Sequence, residues 1–369
     1  MTLRVGIVSA AWGAFAHLPA WRALQGVEVT SICTSRQETA EAAAERCQIE
    51  RPFWDALAMC RDPDIDIVDL GTRPGVRLPM VLEALKHGKH IYNSCPHAPD
   101  WAGAKAIDFA WDRNTSKTAV DAFSRYLPAH MQMRSMIEAG NLGKLLGGNC
   151  RFNMSLFNRP DKRFPYNWFA DGAAGVSALR NFGSHLLYFL CEMLGPVEEL
   201  VADQTILLKE WEFADGDRMA ANNPDYANLI LRFASGVRIS LQTSWNQPAQ
   251  EGWTIDMFGT DARLQAVAPS FPTVGDTRLL SGLAGDRADS ALQPVELTTP
   301  ATPHIAMDHI SEPAPAYPMA LTMQSLVDTV HGKGSPYPDF ALALEVERLL
   351  EAARISNEER RWVRLAGVD

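Results

Sequence analysis

The hydrophobic pattern of the first 36 residues predicts a strand, a tight turn, a helix and a second strand. Residues 4–8 form a short apolar run, and the apolar side chains of residues 15–24 recur near helical spacing. Residues 27–33 alternate and then run apolar, which indicates the second strand. This order of elements, with small residues in the turn, is typical of the beginning of a dinucleotide-binding fold.

The alternation of strands and helices continues to about residue 122, after which strands dominate. In the first part we predict helices at 37–46, 76–87 and 101–113 and strands at 65–70, 89–92 and 118–122. In the second part we predict strands at 149–157, 197–201, 204–208, 227–233, 237–244, 253–259 and 263–267, helices at 183–194, 319–331 and 339–357, and a loop-rich stretch at 269–318. The pattern therefore predicts an α/β Rossmann domain over residues 1–122 and an α+β domain over residues 123–369, whose C-terminal helices could pack back on the first domain.

The turn after the first strand departs from the glycine-rich fingerprint of such folds. Ser9, Ala11 and Ala14 stand where a gapless G-x-G-x-x-G would have its glycines, and Gly13 is displaced by one. Small residues at a helix N-terminus let backbone N–H groups approach a pyrophosphate, whose negative charge the helix dipole favours. We therefore predict that the turn binds the cofactor, the alternative being a plain αβ turn with no ligand. The residues concerned are Ser9, Ala11, Trp12, Gly13, Ala14 and Phe15.

Three residues after the second predicted strand bear on the choice between NADP(H) and NAD(H). A fold that binds NAD usually has an acidic residue there for the ribose 2′-hydroxyl, whereas a 2′-phosphate needs an arginine and small hydroxyl donors. Thr34, Ser35 and Arg36 therefore favour NADP(H), with NAD(H) as the alternative. The residues could also form a solvated loop in which Ser35 is the N-cap of the following helix.

The loops that follow two later strands should line the same crevice as the turn. In an open parallel sheet, ligands lie outside the carboxyl ends of the strands. Thr72 and Arg73 follow one predicted strand, and Ser94 and Pro96 follow the next. We predict that these four residues contact the cofactor.

Composition and charge argue against several classes of partner. The 369 residues are 47% hydrophobic, which is enough to bury a large core, and the chain is too long for one ordinary α/β domain. The formal net charge of −10 argues against nucleic acid and anionic membrane as partners. No apolar run approaches the roughly 20 residues of a membrane span, and the N-terminus leads into a strand instead of a signal peptide. We therefore expect a soluble, cytoplasmic protein. The six cysteines contain no C-x-x-C pair, which predicts free thiols and no metal site.

Four ordered segments resemble motifs of the glucose-fructose oxidoreductase, inositol dehydrogenase and MocA (Gfo/Idh/MocA) family. They are residues 17–20 (HLPA), 88–96 (GKHIYNSCP), 124–129 (SRYLPA) and 175–187 (GVSALRNFGSHLL). The resemblance implies a nicotinamide-dependent oxidoreductase of small molecules, with a Rossmann domain followed by a domain that carries a large, mainly antiparallel open sheet. It also implies a homodimer or homotetramer formed through the outer face of that sheet.

Two of the three catalytic residue types that this family uses are replaced here. Members that oxidise a secondary alcohol carry a Lys before the Pro of the 88–96 motif, and an Asp four residues before a His in the last motif. The corresponding residues of this chain are Cys95, Asn181 and His185. This pattern, with Trp12 in the first turn, most resembles the branch that includes the galactose-regulon co-repressor of yeast, which keeps the dinucleotide fold and loses the usual Lys.

The surviving histidine is the leading catalytic candidate. We predict that His185 is the general acid or base, because a free imidazole titrates near neutral pH; the alternative is a histidine satisfied in the core. Cys95 could assist as a thiolate or could be an inert, small apolar residue. Asn181 could position the substrate but cannot act as a base.

A basic and aromatic loop supplies further candidates. Tyr166, Lys162 and Arg163 lie in the loop that approaches the substrate in members of the family, so each is a candidate proton donor or anion-binding group. An exposed Lys-Arg pair is also typical of a solvated surface. Trp168 could form a wall for a sugar ring or an aromatic substrate, or it could pack in the core.

These observations leave three hypotheses about function. The leading one is an NADP(H)-dependent oxidoreductase that moves a hydride between nicotinamide and the hydroxyl or carbonyl carbon of a sugar, a polyol or a cyclic or aromatic alcohol. The second is an enzyme that uses bound nicotinamide transiently, for an elimination or hydrolysis without net redox change. The third is a non-enzymatic sensor of a dinucleotide or a sugar, as the co-repressor resemblance implies.

Overall fold

The computed structural model describes residues 2–287, 289–298, 305–307 and 315–369. Within these ranges the chain divides into two compact units. The first unit comprises residues 1–126 and 301–344, and the second comprises residues 127–300 and 345–369. Each unit contains its own large sheet.

A six-stranded parallel sheet forms the centre of the first unit, as predicted for a Rossmann domain. Its strands are β1 (Leu3–Val8), β2 (Val27–Cys33), β3 (Arg51–Phe53), β4 (Ile67–Leu70), β5 (His90–Asn93) and β6 (Thr118–Val120). Their spatial order is β3-β2-β1-β4-β5-β6, so the chain changes direction across the sheet between β1 and β4. Ligands of open parallel sheets bind at this reversal, outside the carboxyl ends of the strands.

Five helices connect the strands of this sheet. The first begins as a π-helical turn, Gly13–His17, and continues as α1 (Leu18–Arg22). The others are α2 (Gln37–Cys47), α3 (Ala56–Arg61), α4 (Pro74–Lys86) and α5 (Trp101–Ala110). A short 3₁₀ turn, Phe123–Tyr126, follows β6.

One alternative considered from the sequence does not hold in this unit, and one strand was missed. The N-cap of α2 is Arg36 and not Ser35, and the Arg36 side chain makes no cap hydrogen bond. The sequence also gave no indication of β3, because a three-residue Arg-Pro-Phe strand at the edge of the sheet is too short to show an alternating pattern.

A nine-stranded sheet forms the centre of the second unit. Its order is β16-β15-β14-β13-β7-β12-β11-β8-β17, and only the β7–β12 pair is parallel among these described strands. The strands of the unit are β7 (Leu145–Asn153), β8 (Val197–Thr205), β9 (Glu210–Glu212), β10 (Arg218–Ala220), β11 (Tyr226–Phe233), β12 (Arg238–Ser244), β13 (Gly252–Gly259), β14 (Ala262–Ala268), β15 (Arg278–Leu283), β16 (Gln293–Pro294) and β17 (Val363–Arg364), of which β9 and β10 form a separate hairpin. The predicted large, mainly antiparallel sheet is confirmed.

Helical segments cover one face of this sheet. They are α6 (Pro128–Glu138), a second π-helical turn (Leu179–Gly183) that continues as α7 (Ser184–Leu194), and the 3₁₀ turns Asn167–Ala170 and Gly172–Ala174. α6 packs against β14 and β15, and the second π turn packs against β12. On the other face, Ile230 and Phe258 are 45% and 39% exposed, so that face is partly apolar.

Three predictions for the second unit need correction. β7 spans Leu145–Asn153 instead of 149–157, because Gly147 and Gly148 hide its alternation; a Cβ on Gly148 would collide with the carbonyl of Asp256 in the neighbouring strand. The predicted strands 197–201 and 204–208 are one strand, β8. The predicted loop-rich stretch 269–318 contains β15 and β16, and part of it lies outside the described residues.

Two C-terminal helices close the chain near the positions predicted for them, α8 (Ala316–Val330) and α9 (Phe340–Glu359). The segment between them pairs with β6 of the first unit: the N–H of Val120 donates to the carbonyl of Pro338 over 2.7 Å. The division between the two units falls within α9.

Candidate functional site

Ser9 takes the conformation that the first glycine of a dinucleotide fingerprint normally supplies. Its φ is +151°, a region that side-chain-bearing residues rarely adopt. Its Oγ accepts from the backbone N–H of Ala11 at 3.2 Å and from that of Gly13 at 3.5 Å. The hydroxyl therefore holds together the N–H groups at the start of the first π turn.

Gly13 and Gly71 allow close approach around the same turn. A Cβ on Gly13 would lie 2.8 Å from Cγ2 of Ile7, and a Cβ on Gly71 would lie 3.4 Å from the Gly13 backbone. The loop after β4 is thus packed directly on the turn. The three roles of the usual glycines are shared between Ser9 and these two glycines, so the turn is compatible with a dinucleotide despite its altered sequence.

Arg77, which the sequence analysis missed, joins two of the predicted cofactor loops. It lies on α4 and is 1% exposed. Its guanidinium donates to the carbonyl of Ser94 over 2.7 Å, and also to the carbonyls of Thr72 and Pro96. The structure therefore brings Thr72, Ser94 and Pro96 together.

The residues after β2 are exposed, except for Thr34, which is half-buried. Thr34 Oγ1 lies 2.6 Å from Thr39 Oγ1 and donates to the carbonyl of Arg36 over 3.1 Å. Ser35 and the Arg36 side chain are exposed. A second exposed arginine, Arg46 of α2, donates to the carbonyl of Ala10 in the turn over 3.2 Å. Two cations, one of them missed from the sequence, thus lie on the elements next to the turn.

A buried ionic cluster lies behind the turn. His17, at the end of the first π turn, is completely buried between Asp69 of β4 and Asp121, which follows β6. Its Nδ1 lies 2.8 Å from Asp69 Oδ1, and its Nε2 lies 3.1 Å from Asp121 Oδ2. Both ring nitrogens face carboxylates. This arrangement suits an imidazolium, whose two N–H groups each donate to one carboxylate.

Three neutral donors complete this cluster. Trp21 Nε1 donates to Asp69 over 2.6 Å, Trp12 Nε1 donates to Asp121 over 3.1 Å, and the Tyr92 hydroxyl lies 3.4 Å from the other oxygen of Asp121. Burial alone would lower the pKa of His17, but the two carboxylates outweigh it and raise the pKa to about 10. His17 therefore stays charged at neutral pH. The sequence signal for this cluster was weak, since its acidic residues are far apart along the chain.

In the second unit, Asn181 and His185 share one face of a helix. Both are half-buried, while the residues between them are fully buried. The ring of His185 meets Phe271 edge-on at 5.5 Å between centroids. Asn181 Oδ1 is buried and accepts no hydrogen bond from the described residues. The second π turn and the start of α7 thus leave an amide and an imidazole partly exposed, four residues apart.

An ion pair fixes the start of this helical segment. Arg180, next to Asn181, contacts the buried Glu347 of α9 over 2.7 Å, and both residues belong to the second unit. The hydroxyl of Thr243 on β12 lies 3.3 Å from the carbonyl of Ala178. Contacts of this kind hold the π turn on the sheet.

The aromatic loop packs against the core of the second unit. Tyr166 lies 5.5 Å from Phe164 and 5.6 Å from Phe169 between ring centroids, and Trp168 lies 4.5 Å from Phe169. Both Tyr166 and Trp168 remain half-buried. The core rings beneath them are Phe157, Trp211 and Trp245.

The basic residues of this loop are exposed. Lys162 forms ion pairs with Asp215 at 2.7 Å and with Asp217, both beside the β9–β10 hairpin. Arg163 is exposed and its backbone N–H donates to Asp161. The structure therefore groups Tyr166 with Trp168, whereas Lys162 is bound to the aspartates beside the hairpin.

The remaining candidates lie in the first unit. Cys95 is half-buried and precedes Pro96 through a cis peptide bond, and Arg73 is the N-cap of α4. Ala14 and Phe15 lie in the first π turn, where Phe15 is 57% exposed. The six cysteines are free thiols, as predicted.

Two classes of feature were not found in the described ranges. No group of three or more His, Cys, Asp or Glu side chains there could hold a metal ion. In the same ranges, no helix has both the length and the apolar composition needed to cross a membrane.

Comparison with protein families gives a match for each part of the chain. A family model described as "oxidoreductase family, NAD-binding Rossmann fold" matches residues 3–121. A second model, described as "GFO/IDH/MocA C-terminal domain", matches residues 130–265. The two matches follow one another in the order of the two sheets.

Individual relatives are distant in sequence. A protein named dehydrogenase aclE from Aspergillus oryzae is 28% identical over 194 residues, which is 52% of this chain and 52% of that protein. Levoglucosan dehydrogenase from Pseudarthrobacter phenanthrenivorans is 23% identical over 354 residues, which is 90% of this chain and 88% of that protein. A solved structure of levoglucosan dehydrogenase with NADH and levoglucosan has a TM-score of 0.86 at 22% identity, and covers 99% of this chain and 100% of that one. At this identity the structural match shows a common fold.

Proposed function

Because the chain belongs to the GFO/IDH/MocA oxidoreductase family, whose first domain is an NAD-binding Rossmann fold, we propose that it is a dehydrogenase of small hydroxylated molecules. It would transfer a hydride between nicotinamide and a carbon that bears a hydroxyl or carbonyl group. The observation that carries the proposal is the second π turn, which leaves only Asn181 and His185 partly exposed over residues 181–190. π turns of this kind are frequent at functional sites.

The cofactor is proposed to be NADP(H). Thr34, Ser35 and Arg36 offer two hydroxyls and a cation at the end of β2, where the adenosine ribose of a Rossmann cofactor lies. Arg46 adds a second cation beside the turn, through its bond to Ala10. Charge-assisted bonds to a 2′-phosphate would favour NADP(H), whereas the ribose hydroxyl of NAD(H) would find no acidic partner among residues 34–36.

Proton transfer is assigned to His185. When bound, the nicotinamide supplies or accepts the hydride. His185 takes the proton from the substrate hydroxyl during oxidation and returns it during reduction, as a general base and acid. Asn181, four residues earlier on the same face, orients the substrate by hydrogen bonding and holds no charge. Tyr166 and Cys95 are assisting candidates.

The substrate class is proposed to be a sugar, a polyol or a cyclic or aromatic alcohol. The relative named levoglucosan dehydrogenase supports a sugar-like substrate. The half-buried rings of Tyr166 and Trp168 support a substrate with a flat, weakly polar ring face, because such a face stacks well on aromatic side chains. Lys162 and Arg163 would then contact the substrate only at the solvent-exposed edge of its site, since both side chains are exposed.

The test is a cofactor and substrate screen on the purified protein. Incubation with NADP⁺ or NAD⁺ and a panel of sugars, polyols and cyclic alcohols should give a rise in the absorbance of reduced nicotinamide. His185→Ala should lower kcat by about 10²- to 10⁴-fold while the Kd for the cofactor stays unchanged, because it removes only proton transfer. Cys95→Ala should cost less than about tenfold, since no proton passes through it.

The opposite pattern would contradict the assignment of roles. An inactive Cys95→Ala variant beside a nearly normal His185→Ala variant would favour a thiolate mechanism. Full activity in both variants would make Tyr166 the leading catalytic candidate.

A second candidate function follows from the two replaced catalytic residues. Cys95 and Asn181 carry no charge where a Lys and an Asp are expected, which also suits an enzyme that uses nicotinamide transiently or a sensor of the co-repressor branch. If the cofactor stays tightly bound and substrate is consumed without a change in the absorbance of reduced nicotinamide, the enzyme uses nicotinamide transiently. Cofactor binding without turnover of any substrate would select the sensor.

A further inference from the structure

We propose that the buried cluster of His17, Asp69 and Asp121 positions the dinucleotide turn by holding the indole of Trp12. The inference rests on the proposed binding of a nicotinamide dinucleotide at this turn. Nothing in the proposed hydride transfer uses these three residues, and they do not lie on the surface. Their role would be to set the geometry of the N–H groups that meet the pyrophosphate.

The contact between the turn and the cluster is specific. Trp12 lies between Ala11 and Gly13, whose N–H groups are at the start of the helix. Its indole N–H donates to Asp121 Oδ2 over 3.1 Å, and the same oxygen faces His17 Nε2 at 3.1 Å. One carboxylate oxygen therefore joins the turn to the imidazolium.

The cluster is a rigid anchor because three strands contribute to it. Asp69 lies within β4, Tyr92 lies within β5, and Asp121 directly follows β6. The backbone N–H of Asp121 also donates to the carbonyl of Asn93 over 2.8 Å. Asp69, Tyr92 and Asp121 are each at most 4% exposed as residues, whereas Trp12 is half-buried.

The altered sequence of the turn explains why such an anchor is useful. Ser9 holds an unfavourable φ of +151°, and residues in such regions persist only where the surroundings determine them. A turn with three glycines would relax more freely. Here the side chains of Ser9 and Trp12 both constrain the turn, Ser9 through the backbone N–H groups and Trp12 through the cluster.

Two tryptophans give a matched pair of variants. Trp12→Phe and Trp111→Phe each remove one indole N–H bond within the first unit and keep an aromatic ring. Trp111 donates to the carbonyl of Ser116 over 2.8 Å and is not one of the donors of the cluster. Only Trp12 belongs to the turn, so only Trp12→Phe should change cofactor binding.

The first experiment measures the Kd of NADPH and NADH by fluorescence titration, with the melting temperature of each variant. Trp12→Phe should raise Kd by about three- to tenfold, the range of one ordinary hydrogen bond. Trp111→Phe should lower the melting temperature but change Kd by less than about twofold. Equal Kd values for the wild type and Trp12→Phe, or equal losses of binding in Trp12→Phe and Trp111→Phe, would overturn the inference.

The second experiment separates positioning from direct contact with the nicotinamide. ADP-ribose, or its 2′-phosphate, contains the pyrophosphate but lacks the nicotinamide ring. If Trp12 positions the turn, Trp12→Phe weakens this fragment by the same factor as the whole dinucleotide. A loss confined to the whole dinucleotide would overturn the inference and leave the proposed function standing. A wild-type chain that binds neither NADPH nor NADH would overturn both.

Discussion

Ser9 adopts a φ of +151° at the position where a dinucleotide turn normally has glycine. A strained residue of this kind costs about 1–3 kcal/mol and persists only when neighbouring contacts offset it. Here the Ser9 hydroxyl offsets this cost, because it accepts hydrogen bonds from the N–H groups of Ala11 and Gly13. These are the N–H groups that a pyrophosphate would meet at the start of the first π turn. At the residue scale, side-chain hydrogen bonds have therefore replaced glycine.

The charge of His17 predicts how stability depends on pH. The pKa of His17 is about 10 in the folded chain and about 6.5 when unfolded, so between these values the folded state holds a proton that the unfolded state releases. The contribution to stability is complete below about pH 6.5 and is lost as the pH rises towards 10. From about pH 6.5 to 8.5, before cysteine thiols of the unfolded chain titrate, the free energy of unfolding should fall by up to about 1.4 kcal/mol per pH unit.

Urea denaturation at several pH values checks this expectation. His17→Gln keeps a polar side chain facing Asp69, Asp121, Tyr92 and Trp12, but it does not titrate. Its free energy of unfolding should be lower at pH 6.5 and should lack most of the decline. Parallel curves for the variant and the wild type would mean that His17 is not the titrating group.

At the element scale, the two candidate regions share one structural device. Among the described residues the π-helical turns are Gly13–His17 and Leu179–Gly183, and each leads directly into an α-helix. The first starts at the dinucleotide turn, and the second ends immediately before Ser184 and His185. A π turn shifts the side chains that follow it relative to a regular helix, so it can aim a residue that would otherwise be buried.

The close packing of the first π turn gives a prediction at this scale. In Gly13→Ala the new Cβ would lie 2.8 Å from Ile7 Cγ2 and 3.2 Å from Ser9 Cβ. Overpacking of this kind costs about 1–3 kcal/mol, so the melting temperature should fall and the Kd for the dinucleotide should rise. Circular dichroism and fluorescence titration measure the two effects.

A glycine with free space around it provides the control. A Cβ on Gly275 would meet no atom within 4 Å. Gly275→Ala should therefore leave both the melting temperature and the Kd near the wild-type values. A Gly13→Ala variant as stable as Gly275→Ala would show that the turn tolerates a side chain at this position.

At the scale of the whole molecule, the chain joins a parallel six-stranded sheet to a nine-stranded, mostly antiparallel sheet. The matches to an NAD-binding Rossmann model and to a GFO/IDH/MocA C-terminal model follow the same order. The first unit also includes residues from the C-terminal part of the chain. A ligand that binds the folded first unit should therefore stabilise segments that are far apart in sequence.

Thermal unfolding with and without cofactor tests this expectation. A ligand that binds only the folded state adds about 2.7 kcal/mol of stability at a hundred times its Kd. At equal concentrations NADPH should raise the melting temperature more than NADH. Arg36→Ala should weaken NADPH binding by roughly ten- to hundredfold and remove that difference, because a charge-assisted bond contributes about 1.5–3 kcal/mol.

Arg113→Ala is the matched control for this measurement. Arg113 is exposed beside Asp108 and precedes β6, so it lies at the amino ends of the strands, away from the crevice. Its removal should leave the response to both cofactors unchanged. Equal losses of NADPH and NADH binding in Arg36→Ala would count against a 2′-phosphate contact.

Strands and helices with a strong local pattern were predictable from the sequence. β2 was predicted with the observed bounds, and α2, β11 and β13 within one or two residues, because each has a strong local pattern of apolar residues. β3 is too short to show a period, and the glycines of β7 hide its alternation. The candidate residues Ser9, Gly13 and His185 were likewise identified from local motifs.

The sequence by itself determined the fold class, and it indicated the small-residue turn and the histidine motif because the residues of each lie close together in the chain. Only the tertiary structure decided which distant side chains meet. The pairing of His17 with Asp69 and Asp121 spans 52 and 104 residues, and Arg77 joins carbonyls from two separate loops. Such contacts leave no periodic signal, since they arise only when parallel strands bring their carboxyl ends to one edge of the sheet.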